Sequence, residues 1–336
     1  MAWTADFMLQ VFRSLGGRAE NVRLKDASEG IGLVPINPQN PVVVHAPAHL
    51  AVPVSEVEFV DGRLRIKESA PIGSGERTFF ENYYDTFSWG GPGRVQAMAF
   101  VSGMRALPQD VKEYLSRDFS LGPMVAGTSE EAEKAAQQWF LQNRQFGRAG
   151  QVLLPVVELV NHDAAAAPVE DHEGIWVRGT FETEVVALRR RSGPLGTFWQ
   201  VGFPSPERVA YSLPVQVDSE AGRVEVEGPF RPGSRIGGIP VPEYRVEDNV
   251  VKISGLMIGN SQGPRIPRGL FDHIMKEVGR PNDDETFDRI LHWNRMIVLG
   301  LLAVLEPHDG GLVPALRKAA RYQLEAMSWC FGSREL

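Results

Sequence analysis

The residues best suited to chemistry lie within 142–163, QNRQFGRAGQVLLPVVELVNHD. An apolar run over 151–160 leads directly into Asn161 and His162. A strand that ends in an amide and an imidazole can present donors and acceptors to a ligand at a sheet edge; a structural turn after a strand would place the same two residues there. Arg144, upstream, carries a guanidinium whose planar fork matches a carboxylate. Gly30 and Gly32, in SEGIGLV, let the backbone approach a ligand closely and donate main-chain hydrogen bonds, although a plain turn also calls for glycine. Tyr211 can lay its ring along an alkyl chain while its hydroxyl holds a hydrogen bond, and it reads equally well as a core tyrosine on a strand.

Other chemistries fit less well. His162, Asp163, Asp171 and His172 form a local cluster, but their spacing matches no zinc pattern and the chain has 1 cysteine, Cys330. Asp171-His172-Glu173-Gly174 reads as a turn before a strand at Trp176, and 164–168, AAAAP, as a mobile loop, so no metal is expected. No Gly-x-Ser-x-Gly elbow occurs, which removes the usual serine hydrolase. GIGLV lacks the third glycine and the following βα pattern of a dinucleotide fingerprint.

The elements that must position these residues follow from periodicity. Residues 4–15 carry apolar positions at helical spacing behind a Thr4 cap. Residues 42–44, 52–60 and 64–66 read as short strands, with a hairpin turn at Gly62. Residues 79–93 are aromatic and glycine-rich and read as irregular. Helices follow from Arg94, from Pro108, and from a Thr128/Glu131 capping box to about Asn143. Strands are expected over 151–160, 176–181, 184–188, 210–217 and 250–258, then helices around 271–278, 287–305 and 312–327. Strands, helices, strands and a helical tail in that order make an α+β chain, with a boundary near residue 262.

Composition bounds the function. The 336 residues are 43% hydrophobic and 23% charged, with 34 Gly and 24 Pro, as in a folded, loop-rich protein. A net charge of -7 gives no long-range attraction for polyphosphate, so no nucleic-acid partner is expected. The basic clusters at Arg189 to Arg191 and at Arg317, Lys318 and Arg321 read as solvated surface. Residues 1–15 contain Asp6 and lack the basic start and apolar core of a signal peptide, and 296–305 is too short to span a bilayer. With 1 cysteine, a reducing cytoplasm is the expected setting. Composition leaves the oligomeric state open.

Four segments, in order, resemble the SET-domain family, in the branch that includes the Rubisco large-subunit lysine methyltransferase. SEGIGLV followed by Pro47 and Leu50 resembles its Glu-Gly-x-Gly loop and Pro-x-x-Leu stretch. Arg144, Phe146, Pro155, Asn161 and His162 match its Arg-x-Phe element and Asp-x-x-Asn-His strand, with Glu158 at the aspartate position. Gly202, Phe203, Ala210, Tyr211 and Leu213 match its Tyr-Gly-Phe segment and the strand after it. IPRGLFDHIM, 266–275, resembles the start of its helical substrate-binding domain. Nothing in 67–141 is recognisable.

The resemblance implies an α+β SET-domain β-fold over 1–262, with a helical insert at about 94–145, and an all-helical C-terminal domain over 263–336. It implies S-adenosylmethionine-dependent methyl transfer to a lysine of a protein partner. Glu29, Gly30, Ile31, Gly32, Arg144, Asn161 and His162 would hold the cofactor, with Arg144 facing its carboxylate, and Tyr211 would be the catalytic residue beside the lysine. The sequence departs from the family at two tyrosine positions, now Val201 and Leu188. Another tyrosine, Tyr83 or Tyr84, could substitute. The alternative is a catalytically inactive or repurposed fold, either a partner-binding module or a small-molecule biosynthetic protein.

Overall fold

The structure, a computed structural model, describes residues 3–27, 30–119, 121–146, 151–188, 192–219, 222–228, 235–236, 239–280 and 284–330. Glu29 and the Arg189 to Arg191 cluster lie outside the described residues. The chain forms two compact units, Met1–Val101 with Thr128–Arg190, and Ser102–Gly127 with Arg191–Leu336. Residues 191–262 therefore fall in one unit with the C-terminal helices. The fold is α+β, and its last three elements are helices.

The first unit starts with the helix Ala5–Ser14, capped by Thr4, whose hydroxyl accepts from Phe7 N–H at 3.2 Å. Met8, Leu9 and Phe12 are its buried face. An antiparallel sheet joins Arg18–Glu20, Val42–Pro47, Gly174–Gly179 and Glu170–Asp171 in that order. Val42, Val44 and Ala46 alternate into the core, as period-two patterning demands. On the other face the rings of His45 and Trp176, cross-strand partners, stack 3.6 Å apart. Separate hairpins pair Val22–Ala27 with Gly30–Pro35 and Val57–Val60 with Arg63–Ile66. Asp61 and Gly62 turn the second with φ of 48° and 72°, a conformation that favours glycine and aspartate.

Residues 79–93 are not irregular. A helix covers Ser74–Thr86 and buries Phe79, Phe80, Tyr83 and Tyr84. Those four positions share one helix face, a period masked by the glycines that follow. The chain then bends through Trp89–Gly93, where Trp89 Nε1 donates to Gly62 O at 2.8 Å. A Cβ on Gly90 would lie 2.2 Å from Asp85 O, so this bend requires glycine. The helix Ser129–Arg144 carries the expected Thr128/Glu131 capping box. The expected strand over 151–160 is reduced to Val152–Leu153, because Pro155 and a positive φ at Val156 end it.

The second unit is built on a sheet ordered Val215–Ser219, Gly222–Val226, Val250–Ser254 and Glu243–Glu247. The helix Asp284–Leu305 packs against Val215–Ser219, and Val313–Ser328 packs on Asp284–Leu305. Val224, Val226, Val251, Ile253, Ile290 and Leu301 are buried. The helix Gln109–Asp118 lies on the same long helix, with Tyr114 hydroxyl donating to Ile297 O at 2.8 Å. The space for that ring is Gly300, where a Cβ would stand 2.1 Å from the hydroxyl. The expected strands over 210–217 and 250–258 are each two, Val209–Tyr211 with Val215–Ser219 and Val250–Ser254 with Met257–Asn260. Pro214 interrupts the first and Gly255, at φ 72°, the second. Arg317 is not solvated surface, because its guanidinium donates to Leu305 O and His308 O at the end of the long helix.

Candidate functional site

Gly30, Ile31 and Gly32 lie on the strand Gly30–Pro35, paired with Ala27, Asp26 and Lys25. Next in the strand, Leu33 O accepts from Val185 N–H at 2.8 Å. Val185 O in turn accepts from Asn161 N–H at 3.3 Å. Asn161–His162 then runs parallel to Val186–Ala187. The glycine strand and the Asn-His segment are thus joined through Val185. The turn Val157–Leu159 also lies against Gly30–Pro35. Segments 130 residues apart in the chain share one edge because a short strand between them satisfies both backbones.

The side chains on this edge differ in environment. His162 is 8% exposed. Asn161 is half-buried, and its Nδ2 donates to Glu184 Oε2 at 3.4 Å. Arg144 ends the helix Ser129–Arg144, and its guanidinium donates to Glu158 O at 2.9 Å. The same guanidinium lies over the Phe140 ring, 5.8 Å from its centroid. Among the described residues Arg144 Nε, which is buried, has no hydrogen-bond partner. A buried charged donor without an acceptor is costly.

Glu158 was not singled out for chemistry by the sequence, yet it organises this region. It is 0% exposed. Tyr83 hydroxyl donates to its Oε1 at 3.0 Å, and Tyr84 hydroxyl to its Oε2 at 2.7 Å. Burial, reinforced by the Glu158 carboxylate, pushes both tyrosine pKa values well above the usual 10.0. Both rings are 0% exposed. Both Tyr83 and Tyr84 hydroxyls are thus engaged by Glu158. Two tyrosines one residue apart, with a Glu at an otherwise apolar position, were the available sequence signal.

Tyr211 belongs to the second unit, on Val209–Tyr211, and is 3% exposed. Its carbonyl accepts from Gln323 Nε2 at 3.5 Å. Ser212 and Leu213, next in the chain, are held by Asn294, which is 0% exposed. Val201 ends the helix Gly193–Val201, and Gly202 caps it with φ 85°. Leu188 bridges to Pro168 at the end of the 185–188 segment. Asp171 to Gly174 forms a turn, with His172 N–H on Gly174 O at 3.1 Å. Residues 164–168 are tied down by Asp163 Oδ1, which accepts from Ala165 N–H at 2.7 Å, and by Leu188 N–H on Ala167 O at 2.9 Å. Among the described residues no three His, Cys, Asp or Glu side chains gather as a metal site. No described helix is long and apolar enough to cross a membrane.

No family model matches the chain. An uncharacterized protein of Aquifex aeolicus (strain VF5) is 32% identical over 95 residues, which are 28% of this chain and 78% of that protein. Among solved structures, Rubisco LSMT bound to AdoMet is similar with a TM-score of 0.46 at 11% identity, covering 98% of this chain and 90% of that one. The SET domain of LSMT bound to lysine and AdoHcy gives 0.43 at 12% identity, over 96% and 89%. Rubisco LSMT bound to sinefungin and monomethyllysine gives 0.41 at 11% identity, over 96% and 89%.

Proposed function

We propose that this chain, which belongs to one family with the uncharacterized Aquifex aeolicus protein, binds S-adenosylmethionine and transfers its methyl group to a protein lysine. The observation that carries the reading is the shared edge, with the glycine strand and Asn161–His162 both bonded to Val185. In this reading the Arg144 guanidinium, whose Nε has no acceptor among the described residues, takes the methionyl carboxylate. The backbone at Gly30, Ile31 and Gly32 and the side chains of Asn161 and His162 hold the nucleoside end. S-adenosylmethionine, when bound, supplies an electrophilic methyl on a sulfonium. The chain's own contribution is orientation and exclusion of water, which together lower a barrier without an added base. Tyr211 is proposed to hold the acceptor amine by its hydroxyl.

The second reading is a fold that binds the cofactor without turnover or that modifies a small molecule. Val201 at a helix end and Leu188 on a bridge, neither with a hydroxyl, favour it. Incubation with methyl-labelled S-adenosylmethionine and a cell lysate separates the two. Methyl transfer to protein predicts label in methyl-lysine after hydrolysis, and Tyr211→Phe lowers it by about 100-fold, the scale for a lost hydroxyl at a reacting centre. Label that stays in the cofactor, or passes only to small molecules, decides for the second reading.

A further inference from the structure

The edge just described carries two costs within a few residues of each other. Val156, a β-branched residue, has φ 70° and ψ -51°. Val157 N–H donates to Pro155 O at 2.9 Å, which makes 155–157 a γ-turn of the strained hand. A positive φ at a valine is a genuine steric outlier, and such strain concentrates where geometry matters more than stability. Two residues on, Glu158 buries a carboxylate completely, where an apolar side chain would be cheaper to bury.

The costs are coupled. Glu158 N–H donates to Leu154 O at 3.1 Å across the turn, while its side chain accepts from Tyr83 hydroxyl at Oε1 and from Tyr84 hydroxyl at Oε2. The carbonyl of Glu158 holds one nitrogen of the Arg144 guanidinium, and the Nε of that group has no acceptor among the described residues. The tyrosine pair thus fixes Glu158, Glu158 fixes the turn and the guanidinium, and Asn161 follows three residues later.

We infer that Glu158, clamped by Tyr83 and Tyr84, is a positioning residue that aims Arg144 at the carboxylate end of the ligand. The inference rests on the cofactor reading above and adds to it a division of labour. The clamp governs the amino-acid end of the ligand, and the glycine strand governs the nucleoside end. A residue that merely stabilised the fold would affect both ends alike.

The test uses the full chain and two probes, S-adenosylhomocysteine, which carries the carboxylate, and methylthioadenosine, which lacks it. Affinities are measured by calorimetry for the wild type, Glu158→Gln, Tyr83→Phe and Tyr84→Phe, with far-UV circular dichroism on each. The clamp predicts that Glu158→Gln weakens S-adenosylhomocysteine by about 10-fold or more, the scale of one charge-assisted hydrogen bond, and leaves methylthioadenosine within about twofold. The single tyrosine variants follow the same pattern in smaller measure and carry the comparison if Glu158→Gln does not fold. Equal losses for both probes, or none for either, overturn the clamp while leaving cofactor binding intact. A wild type that binds neither probe removes the cofactor reading itself, and the clamp with it.

Discussion

At the scale of single residues, the chemistry concentrates where burial and charge conflict. Arg144 keeps a buried nitrogen without an acceptor among the described residues, and Glu158 keeps a buried carboxylate between two phenols. Tyr83 and Tyr84 have folded-state pKa values above the usual 10.0, mainly through burial. The folded state favours the protonated phenol, so this contribution to stability is present below pH 10 and is lost as pH rises above it. Spectrophotometric titration is predicted to show these two of the 6 tyrosines ionising only together with alkaline unfolding. Two phenolates forming in a chain with native circular dichroism would contradict that. The sequence displayed Asn161, His162 and Arg144 plainly, because amides, imidazoles and guanidinia after apolar runs attract notice. It did not display the clamp, because its parts are more than 70 residues apart and only packing makes Tyr83 and Tyr84 neighbours of Glu158.

At the scale of elements, regular periods were legible and interruptions were not. Thr4, Pro108 and the Thr128/Glu131 box mark helix starts at the positions observed, since capping is a local matter of one turn. The Gly62 hairpin was legible for the same reason. The helix Ser74–Thr86 was missed because its aromatic face merges into the glycines of the next bend. The strand expected over 151–160 was too long because hydrophobicity alone does not register the γ-turn at Val156. Tyr211 depends on a different device. Asn294 Oδ1 accepts from Leu213 N–H at 2.7 Å, and its Nδ2 donates to Ser212 Oγ at 2.8 Å, fixing the end of the Tyr211 strand to the long helix. Asn294→Leu strands those buried groups and is predicted to cost about 2–3 kcal/mol in urea unfolding, the range for polar groups buried without partners. A variant within about 0.5 kcal/mol of wild type, the usual range for a neutral surface change, would mean that water replaces the amide.

At the scale of the whole molecule, the α+β order and the helical tail were readable from the succession of periods. Proximity in the backbone divides the chain differently from its order, because Ser102–Gly127 and Arg191–Leu336 make one unit and the remainder makes the other. The cofactor candidates belong to the first unit and Tyr211 to the second. In the proposed function, methyl transfer depends on cofactor binding, so binding is tested first. The measurement that tests it most directly is calorimetric titration of the full chain with S-adenosylmethionine, beside the same titration of Asn161→Ala. The account predicts one binding event for the wild type, with a gain of about 2.7 kcal/mol in stability at 100-fold excess over Kd. It predicts loss of that event in Asn161→Ala with an unchanged far-UV spectrum. No heat and no thermal shift in the wild type, or equal affinity in the variant, would contradict it.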